Sequence, residues 1–98
     1  MSLVIHLQEG FEGDTVVICL DGQEVFRKSG VRTRYQISRA ERIEVETAPG
    51  RHAVEVSLPD KDIEGEAVVD PEATPFLGVS VERGALVFKP SSEAFRYL

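Results

Sequence analysis

The segment Thr15–Lys28, "TVVICLDGQEVFRK", contains two β-strand patterns joined by a tight turn. Residues Val16–Leu20 are apolar at every position, which is typical of a strand that is covered on both faces in the middle of a sheet. The dipeptide Asp21-Gly22 suits a type I′ turn, because both central residues of that turn adopt positive φ. The sequence therefore predicts a β-hairpin in which a central strand comes first and "QEVFRK" returns beside it.

Three further segments alternate between apolar and polar residues, which is typical of half-buried strands. They are "LVIHL" at 3–7, "RIEVET" at 42–47 and "HAVEVSL" at 52–58. The last two are separated by "TAPGRH", in which Pro and Gly favour a tight turn. This turn predicts a second hairpin, in which Glu44 would directly face Glu55.

The rest of the chain continues the β pattern, with strands in "IEGEAVVD" and "PFLGVSVE" and a final hairpin that bends at Arg83-Gly84. The expected fold is all-β: a small antiparallel Greek-key β-sandwich of Ig-like type, with about seven to nine strands, and a small barrel is the alternative. A short helical or irregular stretch is expected around residues 38–41, and "SSEAFRYL" at 91–98 is expected to form an edge strand or a helical tail. The 98 residues match the size of one domain, so residues 1–98 are expected to share one core.

The composition excludes several classes of protein. A net charge of -6 argues against nucleic-acid binding, because a phosphate backbone requires a basic surface. No apolar run approaches the roughly 20 residues that a membrane-spanning helix needs. No export signal is visible in "MSLVIHLQEG", which favours the cytoplasm. The single cysteine, Cys19, cannot form an internal disulfide, and its apolar neighbours predict a small buried side chain.

The charges are unevenly distributed along the chain. Residues 27–42 carry six basic side chains and one acidic one, whereas residues 55–72 are strongly acidic. These two segments either neutralise each other and solvate separate faces, or the basic segment binds an acidic partner. For the second interpretation the candidate partner-binding residues are Arg27, Arg32 and Arg34. The partner would be another protein or a second copy of the chain.

The acidic segment includes "SLPDKDIEGEA" at 57–67, which resembles the opening of a calcium-binding loop. Three carboxylates stand at alternate positions and a glycine follows, but the twelfth position, where an EF-hand needs Glu, is Pro71. The flanking segments also have strand patterns, so an EF-hand is excluded. A looser calcium site in the loop Asp60–Glu66 remains the alternative to a solvated acidic turn, with Asp60, Asp62 and Glu64 as candidate metal ligands.

Little in the sequence indicates catalysis. His52 shares its strand face with apolar residues, so we expect a hydrogen-bonded histidine at the core margin, whereas His6 is expected at the surface. Ser57 is predicted on the face opposite His52, which prevents the hydrogen bond that activates a serine nucleophile. The sequence therefore predicts a protein that is not an enzyme, with no cofactor other than calcium under the alternative above, and a small hydrolase is the least favoured class.

A resemblance to a known class of module rests on two segments. "VVICLDGQEVFR" at 16–27, followed by "APGRHAVEVSL" at 48–58, resembles PEGA-type and prealbumin-like (transthyretin-like) β-sandwich modules. In these modules one strand ends in Asp-Gly and a later one begins with Pro-Gly-x-His/Tyr. The resemblance covers about residues 15–58 and implies a non-catalytic interaction or structural role. Transthyretin-like hydrolases end in a Tyr-Arg-Gly-Ser signature, from which "AFRYL" departs, so the resemblance does not extend to their activity.

Overall fold

The protein is described from a computed structural model, which covers residues 1–37 and 39–95. Within these ranges the regular structure is eight β-strands and one short 3-10 turn at Pro59–Lys61. The strands are β1 (Ser2–Leu7), β2 (Glu12–Leu20), β3 (Gln23–Arg32), β4 (Glu41–Glu46), β5 (His52–Leu58), β6 (Ile63–Val69), β7 (Phe76–Glu82) and β8 (Ala85–Ser91). The all-β class is confirmed. Residue 38 and residues 96–98, which belong to the two segments of uncertain type, lie outside the described residues.

The strands form two four-stranded sheets that pack face to face as a sandwich, so the barrel alternative is wrong. The first sheet has the order β4-β1-β7-β8 and the second the order β3-β2-β5-β6. All pairs in the second sheet are antiparallel, but β1 and β7 in the first sheet are parallel. The expectation of a wholly antiparallel sandwich is therefore wrong for this pair, whose strands lie near opposite ends of the chain.

The predicted turn at Asp21-Gly22 is present. Asp21 has φ 50° and Gly22 has φ 81°, both in the left-handed region that a type I′ turn requires. The resulting β2–β3 hairpin extends beyond the predicted "QEVFRK" to Arg32, with register shifts along the pair. β2 lies between β3 and β5, which confirms it as a central strand.

The predicted hairpin across "TAPGRH" is wrong. β4 pairs with β1 in the first sheet, whereas β5 pairs with β2 and β6 in the second. Glu44 therefore faces Val4, and Glu55 faces Glu66 instead of Glu44. The apolar alternation of both strands is satisfied equally well by a partner in the same hairpin or in separate sheets, so the Pro49-Gly50 segment serves here as a crossover between the layers.

The core lies between the two sheets and is built from the inward positions of the alternating strands. Its fully buried large side chains include residues of β1, β2, β5 and β7, together with Phe11 from the β1–β2 connection. Phe11 is only 1% exposed and belongs to the core cluster, although it lies outside the strands. The core thus joins both sheets and the connection at residues 8–11.

The outer strands of the two sheets meet in pairs at the sides of the sandwich. β6 approaches β8 on one side, and β3 approaches β4 on the other. The segment 33–40, here called the β3–β4 loop, connects the two strands on the second side. Among the described residues, no helix is long and apolar enough to cross a membrane.

Candidate functional site

The start of the β3–β4 loop is fixed by a buried threonine. Thr33 is 3% exposed, and its hydroxyl accepts a hydrogen bond from the backbone N–H of Phe11 at 3.1 Å and donates one to the carbonyl oxygen of Gln8 at 2.7 Å. The backbone N–H of Thr33 also donates to the carbonyl of Phe11 at 3.0 Å. These three bonds tie the loop to the connection that closes the core.

The described residues of the rest of the loop are tied by backbone hydrogen bonds. The backbone N–H of Arg34 donates to the carbonyl of Arg39 at 3.1 Å, and the two residues form an isolated antiparallel bridge. The N–H of Ala40 donates to the carbonyl of Leu7 at 2.6 Å, which ties the end of the loop to β1. Tyr35 lies in this segment with 76% of its surface exposed to solvent.

A groove with a positively charged lining runs between β3, the loop and β4. It consists of two hollows of about 190 Å³ and about 240 Å³, which share a lining of Lys28, Arg34, Ala40 and Glu41. The first hollow is also lined by Arg32 and the second by Arg39 and Arg42. We call these two hollows the basic groove; five cationic side chains line it, against the single carboxylate of Glu41.

The charges of the basic groove are only partly neutralised. Lys28 Nζ lies 2.9 Å from a carboxylate oxygen of Glu41, and Arg42 contacts Glu44 at 3.3 Å. Arg34 and Arg39 form a backbone bridge within the loop, which places both residues at the groove. The groove is therefore a local cation-rich surface on an acidic protein.

His6 lies behind this surface and is buried, so its expected surface position is wrong. The residue is 6% exposed, and the ring of Phe95 lies 5.3 Å from its own, centroid to centroid. Burial disfavours the charged imidazole, and the guanidinium groups of Arg39 and Arg42 repel an added proton, so the pKa of His6 lies below its ordinary value. The aromatic cover comes from the far end of the sequence, which the alternation of β1 alone does not indicate.

The three arginines predicted to bind a partner do not all lie together. Arg32 and Arg34 line the basic groove, whereas Arg27 faces Val17 on the outer face of the second sheet and pairs with Glu24 at 2.8 Å. Lys28 points to the groove instead, because successive strand residues point to opposite faces. The basic character of residues 27–42 was visible in the sequence. Which of these side chains point to the groove, and that Arg27 does not, depends on the register of β3.

The acidic loop proposed to bind calcium is an exposed turn. Asp60 lies in the 3-10 turn, Asp62 ends it with φ 54°, and Glu64 lies on β6. Lys61 Nζ contacts the buried carboxylate of Asp14 at 3.0 Å, so a lysine of the loop already supplies a positive charge here. The described residues contain no group of three or more His, Cys, Asp or Glu side chains that could hold a metal ion. The calcium site stays a prediction, and a melting temperature that is equal in calcium and in chelator would overturn it.

Cys19 is half-exposed, so the expected buried thiol is wrong. Its side chain lies on the outer face of the second sheet, which no other layer covers. There it lines a hollow of about 360 Å³ with Val17 and three glutamates, Glu55, Glu64 and Glu66. An apolar run in a central strand predicts burial on both faces only where a second layer covers each face.

The second histidine, His52, links two turns and fits the expected position at the core margin. Its Nδ1 lies 2.6 Å from Asp21 Oδ2, its Nε2 lies 2.7 Å from the carbonyl oxygen of Ala48, and its side chain is 12% exposed. Both partners are acceptors, so the protonated ring, which donates from both nitrogens, satisfies both contacts. The hydrogen bond to Asp21 and then that to Ala48 raise the pKa of His52, and the same contact lowers the pKa of Asp21.

This link predicts a pH dependence of stability. Because the pKa of His52 is higher in the folded state, its contribution is complete below the unfolded value of about 6.5 and is lost as the pH rises through the folded value. His52→Gln should therefore lower the melting temperature more at about pH 6 than at about pH 9. Thermal melts of both proteins across this range measure the difference.

Asp21→Asn is the matched control, because asparagine tolerates the left-handed backbone and retains an acceptor for the N–H of Ala53, which donates to Asp21 at 2.8 Å. It removes the charge that holds the proton on His52, so the pH dependence attributable to His52 should shrink. His6 acts with the opposite sign, since its lowered pKa costs stability as the pH falls below about 6.5. Equal effects of His52→Gln at both pH values would contradict the assignment.

Fold and surface together define a two-sheet β-sandwich with a basic groove and an exposed tyrosine on one side. Comparisons with protein-family models, with curated proteins and with solved structures found no match. Function is therefore inferred from the chemistry of the surface.

Proposed function

We propose that this protein is a non-enzymatic interaction module that contacts another protein through the β3–β4 loop. The observation that carries the proposal is the 76% exposure of Tyr35 beside Arg34 on a loop whose start and end are both hydrogen-bonded to the sandwich. Tyrosine and arginine are the residue types that, with tryptophan, dominate the binding energy of protein interfaces.

The anchoring of the loop supports the same proposal. Thr33 ties its first residue to Phe11 and Gln8, and Ala40 ties its last to Leu7. A surface that is already ordered loses less conformational entropy when it binds. The loop therefore offers its aromatic ring at a low cost of association.

The contacts and burial of the two histidines are more consistent with a binding role than with catalysis. His52 is engaged by Asp21 and Ala48, and His6 is buried beneath Phe95. A general base must reach the proton that it abstracts from a substrate. Neither ring offers a free nitrogen at an open surface, which supports the proposal that the protein is not an enzyme.

We also propose that the sandwich is of the PEGA-type or prealbumin-like kind that the sequence resembles. Its strands would then have a Greek-key or Ig-like arrangement. The two segments that carry the resemblance include β2 and β5, which are neighbours in the second sheet. Asp21 of the first segment contacts His52 of the second, so the two motif residues support each other. A reducing, cytoplasmic setting belongs to the same proposal and is compatible with the half-exposed free thiol of Cys19.

The experiment is affinity capture from the native source with wild-type protein and with Tyr35→Ser. If Tyr35 anchors the interface, its loss should weaken binding of the co-purifying protein by about 30-fold, the effect of removing an interface residue worth about 2 kcal/mol. Val68→Ser is the matched control, because Val68 is 60% exposed on β6, the strand at the opposite edge of the second sheet. Equal capture by Tyr35→Ser and wild type would refute the proposal.

A further inference from the structure

We propose that the basic groove binds an extended, carboxylate-rich segment of a protein partner, with Lys28, Arg34 and Arg42 as its principal contacts. This inference rests on the proposed function and specifies the chemistry of the partner. Tyr35 lies on the loop that supplies Arg34 and Arg39 to the groove, so one partner can contact both.

The first argument is the charge of the groove. Its five cationic side chains, less Glu41 and the Glu44 that pairs with Arg42, give a formal charge of +3 (five minus two), whereas the whole chain carries -6. A concave surface lined mainly by one sign of charge concentrates ligands of the opposite sign and accelerates their association. The groove therefore attracts anions, although the protein as a whole is negatively charged.

The second argument is the chemistry of the arginines. Arg34 lines both hollows, and Arg32 lines the first. A guanidinium group binds carboxylate through two parallel hydrogen bonds, which gives the contact geometric specificity. These side chains therefore favour carboxylate groups on the partner.

The third argument comes from the carboxylate that the groove already contains. Glu41 places its oxygen 2.9 Å from Lys28 Nζ in the part of the lining that both hollows share. Arg34 lines the same two hollows as this contact. Glu41 thus shows how one carboxylate is bound here, and partner carboxylates would bind Arg34 and share Lys28 and Arg42 with Glu41 and Glu44.

The arrangement of the two hollows favours a chain over a single ion. Arg32 lines one hollow, Arg42 lines the other, and Arg34 lines both, so cations are distributed over both hollows. One small anion would occupy only one hollow. A polynucleotide is disfavoured, because its affinity depends on neutralising many phosphates with an extended basic surface, whereas this chain has a net charge of -6.

The test is titration of the isotopically labelled full chain with an oligo-aspartate peptide, followed through its amide resonances. We expect the largest shifts among residues 28–42, and an affinity that falls as salt is added. An oligo-asparagine peptide of equal length should not bind. Inorganic phosphate should bind more weakly than oligo-aspartate, and a single-stranded oligonucleotide should bind no better than phosphate.

Two matched double variants each remove two positive charges, one pair inside the groove and the other pair outside it. Arg34→Gln with Arg42→Gln should weaken oligo-aspartate binding by about tenfold or more, the effect expected from removing two charged contacts. Arg27→Gln with Arg83→Gln removes two exposed arginines outside the groove and should leave the affinity within about twofold of wild type. Thermal melts of both double variants establish that each is folded at the temperature of the titration.

Several results would overturn the inference: no binding of oligo-aspartate, equal weakening by both double variants, phosphate binding as tightly as the peptide, or tighter binding of the oligonucleotide. These outcomes are separate from the test of the proposed function. If Tyr35→Ser abolishes capture but oligo-aspartate does not bind, the interaction module stands and the acidic partner fails. If oligo-aspartate binds in the groove but Tyr35→Ser leaves capture unchanged, the proposed tyrosine-centred interface fails.

Discussion

Replacing Gly10 with alanine should lower the free energy of unfolding by about 3 kcal/mol, the largest loss expected from a single methyl group in this chain. Gly10 has φ 88°, in the left-handed region, and an added Cβ would collide with the carbonyl oxygen of Val81. That oxygen belongs to β7, whose Val81 N–H donates to the carbonyl of Glu9 at 2.8 Å. Relief of the collision would therefore require this backbone pairing to shift, and urea denaturation measures the cost.

Gly22→Ala separates the two causes of this loss. Gly22 has φ 81°, close to that of Gly10, but no atom lies within 4 Å of the position where its Cβ would be. This variant should show only the backbone penalty, about 1 kcal/mol. If Gly10→Ala costs no more than Gly22→Ala, the close approach between Gly10 and β7 does not limit stability.

Replacing Thr33 with valine should cost about 2 kcal/mol and loosen the β3–β4 loop. Valine has nearly the same shape, but it removes the hydroxyl that accepts from the N–H of Phe11 and donates to the carbonyl of Gln8. The N–H of Phe11 is buried, so its lost partner is not replaced by water without a desolvation penalty. Denaturation measures the stability, and hydrogen exchange at the amide of Arg34 measures the loosening of the loop.

Thr15→Val is the control for the change of residue type. The Thr15 hydroxyl lies 3.1 Å from that of Ser29 at an exposed position, where water can replace either partner. This variant should change the free energy of unfolding by less than about 0.5 kcal/mol. Equal losses at Thr15 and Thr33 would mean that the buried hydroxyl does not anchor the loop.

The local parts of the fold could be predicted from the sequence, because the residues that determine them are adjacent. Asp21-Gly22 and Arg83-Gly84 both supply positive φ at two successive positions, which suffices to reverse a strand. The Pro49-Gly50 segment contains similar turn residues but connects the two sheets. The difference depends on which strands are available to pair with β4. Its partner β1 lies much earlier in the chain, since Leu7 pairs with Glu41 and Ser2 with Glu46, and local pattern does not identify such a partner.

The candidate site could be predicted in part for the same reason. The charge of residues 27–42 is a property of the sequence, and Arg32 and Arg34 are indeed on one groove. The outward position of Arg27 and the exposure of Tyr35 depend on the register of β3 and on the hydrogen bonds of Thr33. Those bonds join residues about 25 positions apart, and composition does not encode them.

The parallel pairing of β1 with β7 has a consequence for the order in which the protein can fold as it is synthesised. β1 leaves the ribosome before β7, and Val4 cannot meet Phe76 until the segment up to residue 76 has been made. The second sheet needs only residues 12–69, so it can form while β1 still has one edge without its partner. Contacts of such sequence separation slow folding, and an unpaired strand edge invites association with other chains. Synthesis, more than the finished sandwich, is therefore the stage at which this protein most needs protection from aggregation.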